Sequence, residues 1–423
     1  MSKNKLFSGG LMPFLMWLLP LAFFTHQFIL RLWPGLMMQQ ILSQFSIDAT
    51  MFGMLAASYY YGYAGMQIPV AILLDRFSPR IIVFIFAAIC GIATLVFTFT
   101  DNFYIAIFSR FFIGVGSAAG FLGVSKVVSE WFGRANYSQM IGFSFTIGLL
   151  GAIYGGKPIE LLIEKHSGEN VAISIGIISI LIGVATYIFL KAPRIAKITG
   201  SSNNLMMDGL KSILLSRLIW LIAISNLLMV GSLEGFADVW GIQYLIMSYN
   251  ISKSSAAGLV SYIFMGMLVG GPLLAWVSNK IGNYNVLVLC GLGMAILFAM
   301  LLMDLISLTL LPYCFFIIGT LCCYQVIVFA LGSELVSNRN IGVCIAFLNS
   351  INMLGGSFFH TLIGLIMDIC ENGKFIDTLG TINYQLDSYK YALSIIPICS
   401  TVGATIFCIM HLRIRNANKV EAN

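Results

Sequence analysis

The sequence predicts an all-α membrane protein of twelve transmembrane helices arranged as two pseudo-symmetric six-helix bundles. Three observations carry that expectation. Composition is the first: 59% of the 423 residues are hydrophobic and only 9% charged, against roughly 25% charged in an ordinary soluble domain. The second is the recurrence of apolar runs that supply the ~20 helical residues needed to cross ~30 Å of hydrocarbon. The third is a similarity between the two halves of the chain. Because hydrocarbon offers backbone N–H and C=O groups no partner, runs of this length are helices and not barrel strands.

The runs are centred near Phe23, Tyr61, Cys90, Gly116, Gly148, Ile180, Val230, Met265, Met294, Ile318, Leu354 and Ser400. The first follows MSKNK and exceeds the ~7–15 residue apolar core of a signal peptide, without a small-residue cleavage site, so it reads as a retained first helix. Residues 191–215, opening KAPRIAKITGSSNN, form a polar linker between a bundle at 1–190 and another at 216–423. A second polar stretch, 368–390, joins the last two spans. Sliding the chain on itself by 204 residues sets LLDRFS at 73–78 on VSNKIG at 277–282, Ser129-Glu130 on Ser333-Glu334, and Gly151 on Gly355. The chain reads as a duplicated six-helix unit, the plan of transporters in which two bundles rock about a site near the bilayer midplane.

Charge sets the orientation. Lys3, Lys5, Arg76, Arg80, Arg134, Lys191, Arg194, Lys197, Lys211, Arg217, Lys280, Arg339, Arg413, Arg415 and Lys419 fall on one side, whereas the other carries only Lys157, Lys165, Lys253, Lys374 and Lys390. Positively charged loops stay inside, which places both termini in the cytoplasm. The net charge of +6 therefore reflects topology and not affinity for nucleic acid. Eight of the nine cysteines fall within expected spans and Cys370 in an outer loop, which argues for apolar packing over a disulfide framework.

MQIPVAILLDRFSPR at 66–80 places Asp75, Arg76 and Arg80 between two apolar runs. It resembles the loop between the second and third helices of the major facilitator superfamily, with Ala71 and Ser78 where that family has glycines. RFFIGVGSAAG at 110–120 is similar to the family's fourth-helix pattern, which begins at Arg110, and GLLGAIYGG at 148–156 to its glycine-rich fifth-helix motif, with Ala152 in place of the usual proline. The resemblance implies a major facilitator fold, and gating roles for Asp75, Arg76, Arg80 and Arg110. LVGGPLLAWVSNKIGNY at 268–284 is a weaker second copy of the loop, with Asn279 where Asp75 stands and Lys280 where Arg76 stands. YYYGYAGMQIPVAILLDRFSPR, VSKVVSEWFGR and NMLGGSFFHTLIGLIMD resemble the branch holding bacterial nutrient transporters and the lysosomal dipeptide transporter of animals.

A charge near the bilayer centre costs at least ~2.5 kcal/mol, so each one is a functional candidate. Arg31 and Lys126 fall in the first half, Glu234 and Asp238 in the second. Four apart, the two acids share a helix face, where mutual repulsion suits a proton carrier or they jointly hold a cation. With Tyr61 and Gln67 on the tyrosine-rich second helix, the four charges form the expected substrate site. Arginine grips a carboxylate bidentately, and the acids meet an ammonium, so a zwitterion such as an amino acid or dipeptide fits best. A structural role is open beside it: Arg31 and the acids as a gate, Lys126 and Glu130 as an (i, i+4) pair. His26 and His360 are further proton-coupling candidates.

GAIYGGK at 151–157 has the spacing of a phosphate loop, yet Pro158 follows in place of Ser or Thr and no strand precedes it. Nucleotide hydrolysis is excluded, and four scattered histidines supply neither a metal site nor a catalytic one. The expectation is a secondary or facilitative transporter, not an enzyme, with no cofactor or metal. It acts as a monomer on a small-molecule substrate, with a coupled proton, in a bacterial inner membrane or alternatively a lysosomal one. An organic-anion or sugar-acid symporter and a non-transporting membrane sensor are the rival readings.

Overall fold

The computed structural model describes residues 11–191, 203–337, 340–371 and 384–421. Twelve long helices follow one another: α1 (Met12–Leu36), α2 (Ala49–Arg76), α3 (Pro79–Phe99), α4 (Phe103–Trp131), α5 (Gly133–Tyr154), α6 (Gly168–Phe189), α7 (Arg217–Tyr249), α8 (Lys253–Ile281), α9 (Asn283–Leu302), α10 (Leu311–Glu334), α11 (Ile341–Cys370) and α12 (Leu386–Asn416). Among the described residues no strand forms, and eleven helices have the length and apolarity of membrane spans. α2 is long enough at 28 residues, but Tyr59, Tyr60, Tyr61, Tyr63 and Gln67 dilute its apolarity.

Local chemistry sets the helix starts. The Asn102 side chain accepts from the Tyr104 and Ile105 amides at the head of α4, and Ser167, Ser216 and Ser252 do the same for α6, α7 and α8. Each satisfies N–H groups that a helix leaves orphaned. Gly282 joins α8 to α9 at φ 85°, a conformation that favours glycine. Residues 192–202 of the expected linker 191–215 lie outside the described residues and Asn203–Leu214 is a short helix; 372–383 of the second polar stretch and Lys3, Lys5, Arg194, Lys197, Arg339 and Lys374 also lie outside them. Cys370 is the last residue of α11 instead of a loop residue.

The chain divides into two compact units, Met1–Trp33 with Ser58–Ser201, and Pro34–Ala57 with Ser202–Asn423. The sequence division puts all of 1–190 in one bundle; the structure groups Pro34–Ala57 with the second half. In the first unit α2 and α4 interlock through glycine: a Cβ on Gly114 would lie 1.9 Å from the Tyr59 carbonyl oxygen, and one on Gly62 2.2 Å from that of Phe111. The second unit repeats the device between α8 and α10. There a Cβ on Gly319 would lie 1.8 Å from the Ile263 oxygen and one on Gly266 2.0 Å from that of Phe316. Tyr59 and Gly62 precede Ile263 and Gly266 by 204 residues, the sequence offset, and the α4 partners precede the α10 partners by 205. A second repeated contact joins the peripheral helices. Ser179 Oγ of α6 donates to the Ala87 carbonyl of α3, and Ser400 Oγ of α12 to the Gly291 carbonyl of α9, each at 2.9 Å.

Gly114→Ala and Gly319→Ala are expected to lower the thermal unfolding midpoint in detergent, since the backbone must shift at a cost of about 1–3 kcal/mol. Gly65→Ala and Gly271→Ala, whose Cβ atoms would meet nothing within 4 Å, serve as controls and leave it unchanged.

Candidate functional site

In the first unit a proline explains the motif arginine. Pro34 has no N–H, so it leaves the carbonyl of Leu30, four residues earlier in α1, without its helical donor. Arg110 of α4 supplies one: its guanidinium donates to the Leu30 oxygen at 2.8 Å and to that of Arg31 at 3.4 Å, and lies 5.1 Å from the Tyr59 ring centroid. Arg110 is buried. Its geometry is that of a brace on α1. Arg31 itself is partly buried, its guanidinium 5.4 Å from the Phe28 and 5.9 Å from the Tyr60 ring centroid, within cation–π range.

Lys126, expected beside Arg31, is brought instead to Asp75 at 3.0 Å and to Glu130 at 4.0 Å. The reason is its position on α4, which runs alongside α2 so that the last turns of the two helices meet. Two candidates assigned to different roles thus form one ion pair at a partly exposed helix end. Such a pair is worth about 0–1 kcal/mol. Arg80 stacks 4.8 Å from the Tyr187 ring centroid of α6, and Arg76 is exposed in the last turn of α2.

In the second unit Glu234 and Asp238 are buried, as expected of functional charges, but not on an α-helix. Gly231–Trp240 is a π-helix inside α7, a rare conformation that concentrates at functional sites. Glycines frame it. Cβ atoms on Gly231 and Gly235 would meet the Phe359 ring or its Cβ at 2.6 and 3.1 Å, and one on Gly241 the Phe236 ring at 2.7 Å. Phe236 drives inward among Phe298, Phe315 and Tyr244, at ring-centroid distances of 5.1, 5.6 and 6.1 Å. Glu234 lies within electrostatic reach of Tyr324 and Cys322 on α10, and the Tyr324 hydroxyl donates to the Asn226 carbonyl of α7 at 2.9 Å. No sequence signal announced the π-turn beyond the density of glycines.

His26 Nε2 sits 3.0 Å from the Ile175 carbonyl of α6; a carbonyl only accepts, so Nε2 carries the proton and the ring ties α1 to α6. His360 is fully buried in α11, and the Gly53 backbone lies against its carbonyl. Gln67 is buried, while Tyr61 is 52% exposed and stands apart from the buried Tyr59, Tyr60 and Tyr63. Among the described residues no group of three His, Cys, Asp or Glu side chains gathers to hold a metal.

Among the described residues, twelve long helices in two units that repeat one another's contacts, with ionisable groups buried inside the spans, define a multi-pass integral membrane protein of the transporter class. The profile described as Major Facilitator Superfamily matches residues 12–360. The chain belongs to that superfamily, whose members matched here are transporters and not enzymes. It is 24% identical over 264 residues to an uncharacterized transporter, YybO, of Bacillus subtilis, covering 57% of this chain and 60% of that one. To a probable L-galactonate transporter of Escherichia coli it is 23% identical over 257 residues, covering 56% of each. The matches thus span little more than half the length of these curated relatives. Among solved structures, a bacterial homologue of the human lysosomal transporter Spinster superposes with a TM-score of 0.72 at 17% identity, over 95% of this chain and 97% of that one. That likeness is one of fold.

Replacing Arg110 by Met is expected to lower the unfolding midpoint by the loss of a charge-assisted hydrogen bond, about 1.5–3 kcal/mol. Adding Pro34→Ala, which returns an N–H to the Leu30 carbonyl, restores part of the loss. Additive effects of the two substitutions would show that Arg110 does not brace the proline-freed carbonyl.

Proposed function

We propose that the chain is a secondary transporter that carries a small, carboxylate-bearing solute across a bacterial plasma membrane by alternating access, with an amino acid or dipeptide as the first candidate. The observation that carries this reading is the placement of charge: Arg31 partly buried among aromatic rings in the first unit, and two carboxylates buried on a π-turn in the second. Ionisable groups in such surroundings are functional candidates, because a charge costs several kcal/mol to keep there. The guanidinium fork of Arg31 takes the substrate carboxylate, and Glu234 or Asp238 its ammonium. Lys126 leaves the binding set and joins Asp75 in the gating set, with Arg76, Arg80 and Arg110. The protein works as a monomer with both termini in the cytoplasm.

The L-galactonate relative favours a second reading, a sugar-acid or other organic-anion symporter. Arg31 keeps its role there, while Glu234 and Asp238 carry the coupled proton, with His26 and His360 as lesser candidates. Both readings draw energy from solute or ion gradients.

Uptake of labelled amino acids, dipeptides and hexuronates into proteoliposomes, with and without a pH gradient, tests both. Arg31→Ala is expected to abolish uptake in either case; normal transport with expression verified would remove Arg31 from the site. Glu234→Gln with Asp238→Asn separates them: a zwitterion transporter loses uptake under all conditions, an anion symporter loses gradient-driven accumulation but keeps downhill exchange. Asp75→Asn should slow turnover more than it weakens binding, and an unchanged turnover would sink its gating role.

A further inference from the structure

The proposed substrate and gating sets use neither Asp368 nor Tyr384, yet the two hold the start of α2. Of the first amides of that helix, Met51 N donates to Asp48 Oδ1 at 2.9 Å, as an ordinary local cap. The other two are served from far along the chain: Thr50 N donates to Asp368 Oδ2 at 2.8 Å and Ala49 N to Tyr384 Oη at 2.7 Å. Thr50 Oγ1 also donates to Asp368 Oδ2, and the Tyr384 hydroxyl to Asp368 Oδ1. Burial, and then the hydrogen bond to Asp368, push the Tyr384 phenol above its ordinary range, which keeps it the donor in that bond.

The rest of the seam is different in kind. Cβ atoms on Gly364 and Gly53 would each lie 2.3 Å from a carbonyl oxygen, of Ala49 and of His360 respectively, and Ser357 Oγ donates to the Ala57 carbonyl at 3.0 Å. On the α7 side Gly35 lies against the Asp238 carbonyl and Phe52 against Trp240, ring centroids 5.7 Å apart. Apart from Phe52 on Trp240, this seam is glycine on backbone, so few side chains have to repack if it parts. Asp368 is only partly buried, so water replaces its partners when the seam opens.

Asp368 has a built-in comparison one turn on. Both it and Glu371 stand at the C-terminal end of α11, where the helix dipole disfavours an acid, and both reach the N-terminal end of another helix, where it favours one. Glu371 Oε2 accepts from Gln385 N at 3.1 Å and Ser388 Oγ at 2.7 Å, at the head of α12. That contact stays within the second half of the chain. The Asp368 contact instead reaches back to Thr50, in a segment that continues into the first unit at Ser58.

We propose that Asp368 and Tyr384 form a releasable clamp on the first turn of α2, which governs how readily Pro34–Ala57 parts from α7 and α11 during transport. The proposal rests on the transport reading above. Its test needs no substrate, so the two fail separately. Hydrogen–deuterium exchange of the peptide spanning 46–57 is expected to quicken about tenfold or more in Asp368→Asn, less in Tyr384→Phe, and not in Glu371→Gln, with 58–76 unchanged in all three. Spin labels at Gln40→Cys and Tyr391→Cys, with Cys370→Ser and Cys408→Ser, should show a second, longer distance in Asp368→Asn and Tyr384→Phe. Exchange at 46–57 like that of the wild type, or a distance distribution unaltered in both variants, overturns the clamp. Tyr384→Phe removes one hydroxyl and decides the matter if Asp368→Asn does not fold.

Discussion

The close approach of α2 to α4, and of α8 to α10, is the constraint on which the other contacts depend. Helices in lipid gain nothing from hiding apolar surface from one another, so they associate through tight packing where small residues let backbones meet. Gly62 and Gly114 provide that in the first unit, Gly266 and Gly319 in the second. Once the first pair is seated, the charged residues of α4 have defined neighbours. Arg110, one turn before Gly114, reaches the Tyr59 ring and the α1 carbonyls. Lys126, about three turns after it, meets Asp75.

Much of this was legible in the sequence because it depends on length, hydropathy and a repeat. The spans, the duplication and its offset of 204 follow from such one-dimensional signals, and the glycine interlocks show why the offset persists: each half needs the same two backbone approaches. What the sequence hid depends on partners far apart along the chain. Nothing near Thr50 points to Asp368, and nothing near Lys126 decides between Arg31 and Asp75. The π-turn was hidden for another reason. Spacing Glu234 and Asp238 by four residues suits an α-helix equally well, and only the packing of Phe236 and the glycines around Phe359 shows the wider turn. The segment Pro34–Ala57 belongs by hydropathy to the first bundle and by contact to the second unit.

Proline has a comparable hidden effect in α1. The sequence marks Pro34 as a helix disturbance but does not say who supplies the missing donor. Arg110 does, and the boundary between the two units falls at Trp33–Pro34, beside the braced carbonyls. The family's arginine pattern and the proline are therefore two halves of one arrangement, in which the buried guanidinium of Arg110 donates to main-chain oxygens of α1.

The duplicated halves part company in their polar contacts. The second copy of the loop has lost its acid: Lys280 lies 3.7 Å from the Trp276 ring centroid and Glu334 accepts from Asn283 at 3.0 Å, each on a neighbour within its own unit. In the first half α2 carries a polar contact at each end, and the two differ in consequence. Asp75 with Lys126 lies inside one unit. Thr50 with Asp368 joins a segment covalently continuous with the first unit to a helix of the second, so this contact, with its neighbours along the seam, has to break if α2 is to move with the unit that holds most of its length.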